Sequence, residues 1–273
     1  MHFSFISRIF LGLGISLGGV SAAWAVGSPP LITDDPGTPG NGHWEINVGF
    51  STDHRPGERV TEAPLLDLNY GIGETWQLKY EIPYLVQNVD EERVSGFGNS
   101  AIGVKWRFLD TGEKGWAASI YPQLEFNNPG SSSDARGLAK SGTAFLLPIQ
   151  IERDLGGVIL NFQLGRECHH DGDSWFYGVA VTRLLSDKVD LAVELAGSAK
   201  SSFDRSALTV NVGLVVDVNE QMSFMVSAGR ELHNHAEPRA TFVGYIGWQL
   251  RLWAGVQLKG ISGAVHLRAR LRC

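Results

Sequence analysis

Long segments in which apolar and polar residues strictly alternate constrain this chain more than any other feature. In residues 43–51 every second side chain is apolar, and eleven further segments continue the same pattern. Successive side chains of a β-strand point to opposite faces, so each segment has one apolar face and one polar face. The twelve predicted strands are residues 43–51, 62–71, 74–86, 98–109, 115–126, 143–152, 157–166, 174–185, 189–198, 207–218, 221–230 and 240–250.

The length of these segments favours a membrane-spanning sheet. Most exceed the average strand of about five or six residues and match the roughly nine to eleven that a tilted strand needs to cross a bilayer. Hydrocarbon cannot satisfy the hydrogen-bonding groups at an open sheet edge, so such a sheet must close. The sequence therefore predicts an all-β fold, a closed antiparallel up-and-down transmembrane β-barrel of about twelve strands, with fourteen as the alternative.

The predicted connections sort into two classes. Short ones follow every second strand, for example residues 72–73 and 219–220, and longer ones such as 127–142 follow the others. Short periplasmic turns and long outer loops are typical of outer-membrane barrels.

The alternation also assigns side chains to two environments. Five tryptophans fall near one end of the predicted strands, where they would form an aromatic girdle at the level of the lipid headgroups: Trp44, Trp76, Trp106, Trp116 and Trp248. The polar positions predicted to face the lumen are Glu45, Asn47, Asp67, Lys79, Glu81, Lys105, Arg107, Glu125, Glu152, Asp190 and Glu194.

The ends of the chain complete the predicted organisation. Residues 1–25 have the basic start, apolar run and small-residue site of a signal peptide, with cleavage between Ala25 and Val26. Residues 26–42 are then a periplasmic N-terminal segment, residues 43–250 the transmembrane barrel, and residues 251–273 a basic C-terminal tail or an extra hairpin. Both termini are expected in the periplasm and the barrel in the outer membrane of a Gram-negative cell.

Two short motifs contain residue types that can bind metal ions or take part in catalysis. Residues 168–173, Cys-His-His-Asp-Gly-Asp, combine several metal-ligand types, and His233-Asn234-His235 would need a serine, such as Ser223 or Ser227, to act as a hydrolase. Both fall in predicted outer loops, where polar residues are ordinary. The sequence therefore predicts no catalytic, cofactor-binding or metal-binding residues, no cofactor, and a protein that is not an enzyme.

Two stretches resemble a known family. Residues 30–45, from Pro30 through Asp34-Asp35-Pro36 to Trp44-Glu45, and residues 96–108, from Gly96-Phe97-Gly98 to Phe108, are similar to the MetA-pathway of phenol degradation family of outer-membrane proteins. That family more often has Asp at the position of Asn99. The resemblance covers about residues 30–250, and it implies an outer-membrane β-barrel that acts as a channel for small organic molecules.

These expectations define a function and a set of partners. The predicted function is a passive channel or transporter for small organic compounds, aromatic ones among them. The partners expected are outer-membrane lipids and lipopolysaccharide, small-molecule solutes and the barrel-assembly machinery. The formal net charge of −6 argues against nucleic acid. The alternatives are a non-conducting structural or adhesion barrel and a lipid-modifying barrel enzyme.

Overall fold

The computed structural model describes residues 28–90 and 92–253, and these residues form one antiparallel sheet that closes on itself. Its strands are β1 (His43–Arg55), β2 (Glu58–Ile72), β3 (Trp76–Val89), β4 (Glu92–Phe97), β5 (Ser100–Asp110), β6 (Trp116–Ile120), β7 (Gln123–Phe126), β8 (Thr143–Asp154), β9 (Val158–His169), β10 (Ser174–Ser186), β11 (Val189–Lys200), β12 (Ser206–Asn219), β13 (Met222–Asn234) and β14 (Phe242–Trp253).

The ring closes where β1 pairs with β14, from His43 opposite Trp253 to His54 opposite Phe242. Strand β3 pairs with both β4 and β5, which are two halves of one barrel strand. Strands β6 and β7 are likewise two halves, since both pair with β5 and β8. The closed barrel therefore has twelve strands, as the sequence predicts.

Prolines account for the divided strands. Proline has no backbone N–H and interrupts a hydrogen-bonded ladder. Pro122 separates β6 from β7, although its carbonyl still accepts the Val104 N–H at 3.0 Å. Pro148 lies opposite this break and accepts the Tyr121 N–H at 3.0 Å, while Pro83 lies opposite the break before β5 and accepts the Gly98 N–H at 2.9 Å. The proline carbonyls therefore keep neighbouring strands hydrogen-bonded at positions where proline has no N–H to donate.

The two ends of the barrel differ in their connections. We call the end with residues 73–75, 111–115, 155–157, 187–188 and 220–221 the turn rim; β1 begins there and β14 ends there. The opposite end is the loop rim. The sequence predicts long connections throughout the loop rim, and this is wrong for most of them. Residues 56–57 and 170–173, for example, are tight turns, because the strands continue pairing beyond the apolar band. In the described part of the chain the longer connections are residues 127–142 and residues 235–241.

Burial in the barrel is inverted relative to a soluble protein. Outward-facing Val104, Ile149 and Leu164 are between 39% and 55% exposed, whereas inward-facing Gln150 and Glu194 are at most 1% exposed. This distribution suits a cylinder with lipid outside and polar groups inside. No helix among the described residues is long and apolar enough to cross a membrane.

Aromatic side chains collect on the outside of the turn rim. The rings of Trp76 and Trp106 stack with their centroids 5.5 Å apart. The other predicted girdle residues are also exposed and have partners there: Trp44 packs on Tyr70, Trp248 on Phe224, and Arg153 lies over Trp116. Their positions suit the headgroup level of a bilayer.

Candidate functional site in the barrel lumen

The N-terminal segment, residues 28–42, lies within the barrel. The sequence predicts residues 26–42 as a periplasmic N-terminal segment separate from the barrel domain; in the structure, residues 32–35 of this segment contact the inner wall. This segment precedes His43, which begins β1 at the turn rim. Followed from His43 toward the N-terminus, the chain enters the lumen, where Thr33 and Asp34 are each 3% exposed. Residues 1–25, with the predicted signal peptide, lie outside the described residues. So does most of the predicted C-terminal tail, residues 254–273, whereas residues 251–253 belong to β14.

One end of the N-terminal segment is held by Glu194 on β11. The Glu194 carboxylate accepts the backbone N–H groups of Ile32 and Thr33, each at 2.8 Å. Asn211 on β12 donates to the same carboxylate at 2.9 Å. Hydrogen bonds to a charged acceptor are the stronger kind, so a single wall residue fixes two consecutive backbone groups of the segment.

Asp34 is the most heavily contacted residue of the segment. Lys105 Nζ on β5 donates to Asp34 Oδ1 at 3.1 Å and to the Asp35 carbonyl at 2.7 Å. Gln150 on β8 donates to Asp34 Oδ2 at 3.4 Å, and Gln163 on β9 accepts the Asp34 N–H. Residues 32–35 therefore contact wall strands from β5 to β11, and the segment crosses the lumen.

The electrostatics of Asp34 follow from this position. Burial raises the pKa of the Asp34 carboxyl above its ordinary value, and the neighbouring Asp35 raises it further. Lys105 and Lys79 oppose this by favouring the carboxylate, yet the net direction of the pKa shift is upward.

Glycines in the wall make room for the segment. A Cβ at Gly213 on β12 would lie 2.9 Å from Leu31 Cδ2, and one at Gly178 on β10 would lie 3.0 Å from Thr33 Cβ. Real Cβ atoms essentially never have neighbours closer than 3.0 Å and rarely have them closer than 3.4 Å. These two wall positions therefore fit the segment because they have no side chain.

The segment is also anchored at the turn rim. Thr38 Oγ1 donates to the Glu74 carbonyl at 2.9 Å, and the Gly42 N–H donates to the Gly71 carbonyl at 2.9 Å. Between the segment and the wall remains a cavity of about 50 Å³, lined in part by Glu45, Asp67 and Tyr121. The lumen is polar but is largely filled at this level.

Several predicted lumen residues form one network beside the segment. Lys79 Nζ lies 2.8 Å from Glu81 and 3.6 Å from Asp67, and Asn47 donates to Asp67 at 3.1 Å. Asn47 also contacts Glu45, at 3.4 Å. These five residues share the inward face of β1, β2 and β3, and all but the half-buried Glu45 are buried.

The remaining predicted lumen residues are half-buried and lie nearer the rims. Arg107 pairs with Asp110 at 3.3 Å and donates to the Glu74 carbonyl at 2.6 Å. Asn99 donates to Glu125 at 2.9 Å near the loop rim. Glu152 and Asp190 are at the opposite end, close to the turns that join β8 to β9 and β10 to β11.

The structure has a buried ion cluster at the loop rim that the sequence pattern does not predict. Arg55 pairs with Asp53 at 2.8 Å, Glu231 at 3.2 Å and Glu237 at 2.9 Å. The apolar alternation of the first strand ends at residue 51, so Asp53 and Arg55 are predicted to be loop residues. Their spacing from Ser51 does continue the period of two, and that signal could have identified them as inward-facing.

The structure brings together three residues of the first motif, residues 168–173. His169, His170 and Asp171 have ligand atoms within 4.8 Å of one another, while Cys168 is exposed outside the group and Asp173 pairs with Arg166 at 2.7 Å.

In the second motif, the serine beside the histidines is Ser206, rather than Ser223 or Ser227. Its Oγ is 3.4 Å from His233 Nε2 and 3.3 Å from His235 Nδ1. Neither imidazole has a carboxylate partner among the described residues, so the third member of a hydrolytic triad is missing there.

Comparison by sequence matches no protein-family model and no curated protein. Comparison of structures finds proteins with a similar fold. An outer-membrane channel from Pseudomonas putida F1 superposes with a TM-score of 0.66 at 13% identity, covering 80% of this chain and 98% of that one. The fold of this chain is similar to that of this outer-membrane barrel. The NanC porin has a TM-score of 0.56 at 10% identity, covering 77% of this chain and all of that one. The KdgM porin, solved with disordered oligogalacturonate, has a TM-score of 0.53 at 8% identity, covering 75% and 98%.

Proposed function

We propose that this protein is a passive outer-membrane channel for small organic compounds whose lumen is closed, in this conformation, by residues 30–38. The observation that carries the proposal is how this segment is held. Its polar contacts with the wall are hydrogen bonds and one ion pair, most of them to inward polar side chains such as Lys105, Gln150 and Glu194. Water can replace contacts of this kind when the segment withdraws, leaving a hydrated passage.

The closed ring and its exposed apolar face support a location in the membrane. The fold shared with porins and channels supports the outer membrane. By analogy with barrels whose short turns are periplasmic, the turn rim and the N-terminal segment would face the periplasm. The similarity of residues 30–45 and 96–108 to the phenol-degradation family supports small organic molecules as solutes.

Planar-bilayer recording and liposome swelling test this function. The full chain is compared with a variant in which residues 30–38 are replaced by a Gly-Ser linker of the same length. We expect the variant to conduct more than the full chain and to admit small neutral solutes into liposomes. Circular dichroism and heat-dependent mobility in gels confirm that both barrels are folded.

A second candidate function is a non-conducting barrel, which the filled lumen favours. It predicts no current and no swelling for either protein, even when both are folded, and that result would overturn the channel proposal. Equal, sustained conductance of the two proteins would support a channel but overturn the closing role of residues 30–38.

A further inference from the structure

The turn between β9 and β10 groups three potential metal ligands at the loop rim. His169, His170 and Asp171 each offer a ligand atom, and these atoms all lie within 4.8 Å of one another. The group is separate from the lumen contacts that underlie the proposed function. Two imidazoles and one carboxylate are a donor set that suits Zn²⁺ and similar transition-metal ions.

His169 provides a fixed anchor. Its side chain is 5% exposed, and its Nε2 lies 3.0 Å from the Ser141 carbonyl. Because a carbonyl can only accept a hydrogen bond, Nε2 carries the proton and Nδ1 is the unprotonated nitrogen, whose weak hydrogen bond from the Asp171 N–H a bound metal ion would replace. Nδ1 accepts the Asp171 N–H in a long contact of 3.3 Å and lies 3.7 Å from Asp171 Oδ2. Histidines that bind metals are commonly oriented by such a carbonyl behind the ring.

His170 and Asp171 are the adjustable members of the group. His170 Nε2 is 2.9 Å from Asp171 Oδ1, and the rings of His169 and His170 have centroids 4.2 Å apart. The side chains of His170 and Asp171 are 57% and 70% exposed, so both can rotate to bring their ligand atoms to the roughly 2.0–2.2 Å that Zn²⁺ requires. Gly142 leaves space for His170: a Cβ there would lie 3.1 Å from His170 Nδ1.

The second histidine pair provides a comparison within the same rim. His233 Nε2 and His235 Nδ1 are 2.9 Å apart, with the Ser206 hydroxyl beside them. In the described part of the chain, the polar partners of these two rings are each other and Ser206, with no carboxylate among them. A dication at that pair would lack the negative charge that Asp171 supplies, so the first group is the better site.

We propose that His169 Nδ1, His170 Nε2 and a carboxylate oxygen of Asp171 bind one divalent transition-metal ion, for which Zn²⁺ is the probe. Three protein ligands leave at least one coordination position for water. Because Ser141 holds the His169 ring from residues 127–142, bound metal would also fasten that connection to the end of β9.

Titration calorimetry on the folded full chain in detergent tests the site. We expect one Zn²⁺ per chain and no heat with Ca²⁺ at the same concentrations. His170→Ala and Asp171→Asn should each weaken Zn²⁺ binding by about tenfold or more, since even the loss of an outer-shell partner costs 10- to 100-fold. The matched control, His233→Ala with His235→Ala, should bind Zn²⁺ as the wild type does.

Two further measurements separate this site from a thiol site. The complex with Co²⁺ should show no thiolate charge-transfer band, and Cys168→Ser should leave the affinity unchanged. Zn²⁺ should slow tryptic cleavage after Arg136 and Lys140 in the wild type but not in His170→Ala. The proposal is overturned if no Zn²⁺ binds, if His170→Ala binds equally well, or if the affinity is lost in the control or in Cys168→Ser.

Discussion

Lys105 on the barrel wall and Asp34 in the N-terminal segment are 71 residues apart in the chain, yet Lys105 Nζ donates to Asp34 Oδ1 at 3.1 Å inside the lumen. Each side chain is 4% exposed. Replacing one partner of a buried pair leaves the other charge without compensation. The pair therefore links the stability of the inserted segment to one wall residue.

The first prediction concerns that wall residue. Lys105→Met removes the cation and leaves Asp34 buried, which should destabilise insertion by up to about 3–5 kcal/mol. The segment can leave the lumen to hydrate Asp34, so the channel should be open for a larger fraction of time in planar-bilayer recordings. In the double variant with Asp34→Asn no unpaired charge remains, and the open fraction should fall back toward that of the wild type. An open fraction unchanged by Lys105→Met would contradict this role.

The second prediction concerns pH. The pKa of Asp34 is raised in the inserted state by burial, so between the ordinary pKa and the raised one the inserted segment binds more protons than the withdrawn segment. Insertion is therefore favoured as the pH falls through the raised pKa and disfavoured above it. The charged groups that act on Asp34 are Lys105, Asp35 and Lys79. We expect conductance to decrease on acidification. The part of this decrease that is due to protonation of Asp34 should be absent from the Asp34→Asn variant. If wild type and Asp34→Asn show the same pH profile, Asp34 is not the titrating group.

The third prediction tests the membrane-facing surface with two matched leucines. Leu164 is in the middle of β9 and 55% exposed, whereas Leu185 is at the end of β10 and 56% exposed. An outward arginine costs about 2–4 kcal/mol at the bilayer midplane and about 0–1 kcal/mol near its surface. Leu164→Arg should therefore lower the free energy of unfolding much more than Leu185→Arg in urea titrations in lipid vesicles. Equal losses would place both leucines at one depth.

The fourth prediction concerns ion selectivity. Among the buried charged residues of the described chain, carboxylates outnumber cationic groups: Asp34, Asp53, Asp67, Glu81, Glu167, Glu194 and Glu231 against Arg55, Lys79 and Lys105. An acidic passage concentrates cations. The open channel should therefore pass K⁺ in preference to Cl⁻, as measured by the reversal potential in a KCl gradient.

Two variants locate the origin of that selectivity. Glu45→Gln, beside the lumen cavity, should reduce the preference for K⁺. Glu113→Gln, which changes an exposed residue in the turn at 111–115, should leave the preference unchanged. An anion preference in the wild type would show that the carboxylates do not control permeation.

Most of the wall could be predicted from local pattern. The period of two in β1, β5 or β9 specifies both the strand and the face that each side chain takes, because a strand has no other way to separate apolar from polar residues. Asn47, Lys79 and Lys105 could therefore be assigned to the inside before any pairing was known. The same reasoning stopped short of Asp53 and Arg55, because residues 52–55 are all polar and only the spacing from Ser51, without any apolar alternation, indicates that the strand continues.

The sequence by itself determined the central part of each strand, a closed barrel of about twelve strands with fourteen as the alternative, and the two faces of the wall, since these depend on side-chain alternation within one segment. Only the tertiary structure decided that residues 30–38 lie in the lumen, that Glu194 holds Ile32 and Thr33, and that His169 and His170 share a space with Asp171 but not with Cys168. The physical reason is that an extended polar segment has the same pattern in water and in a polar lumen. Its position depends on hydrogen bonds to residues up to 181 positions away, which no local pattern records.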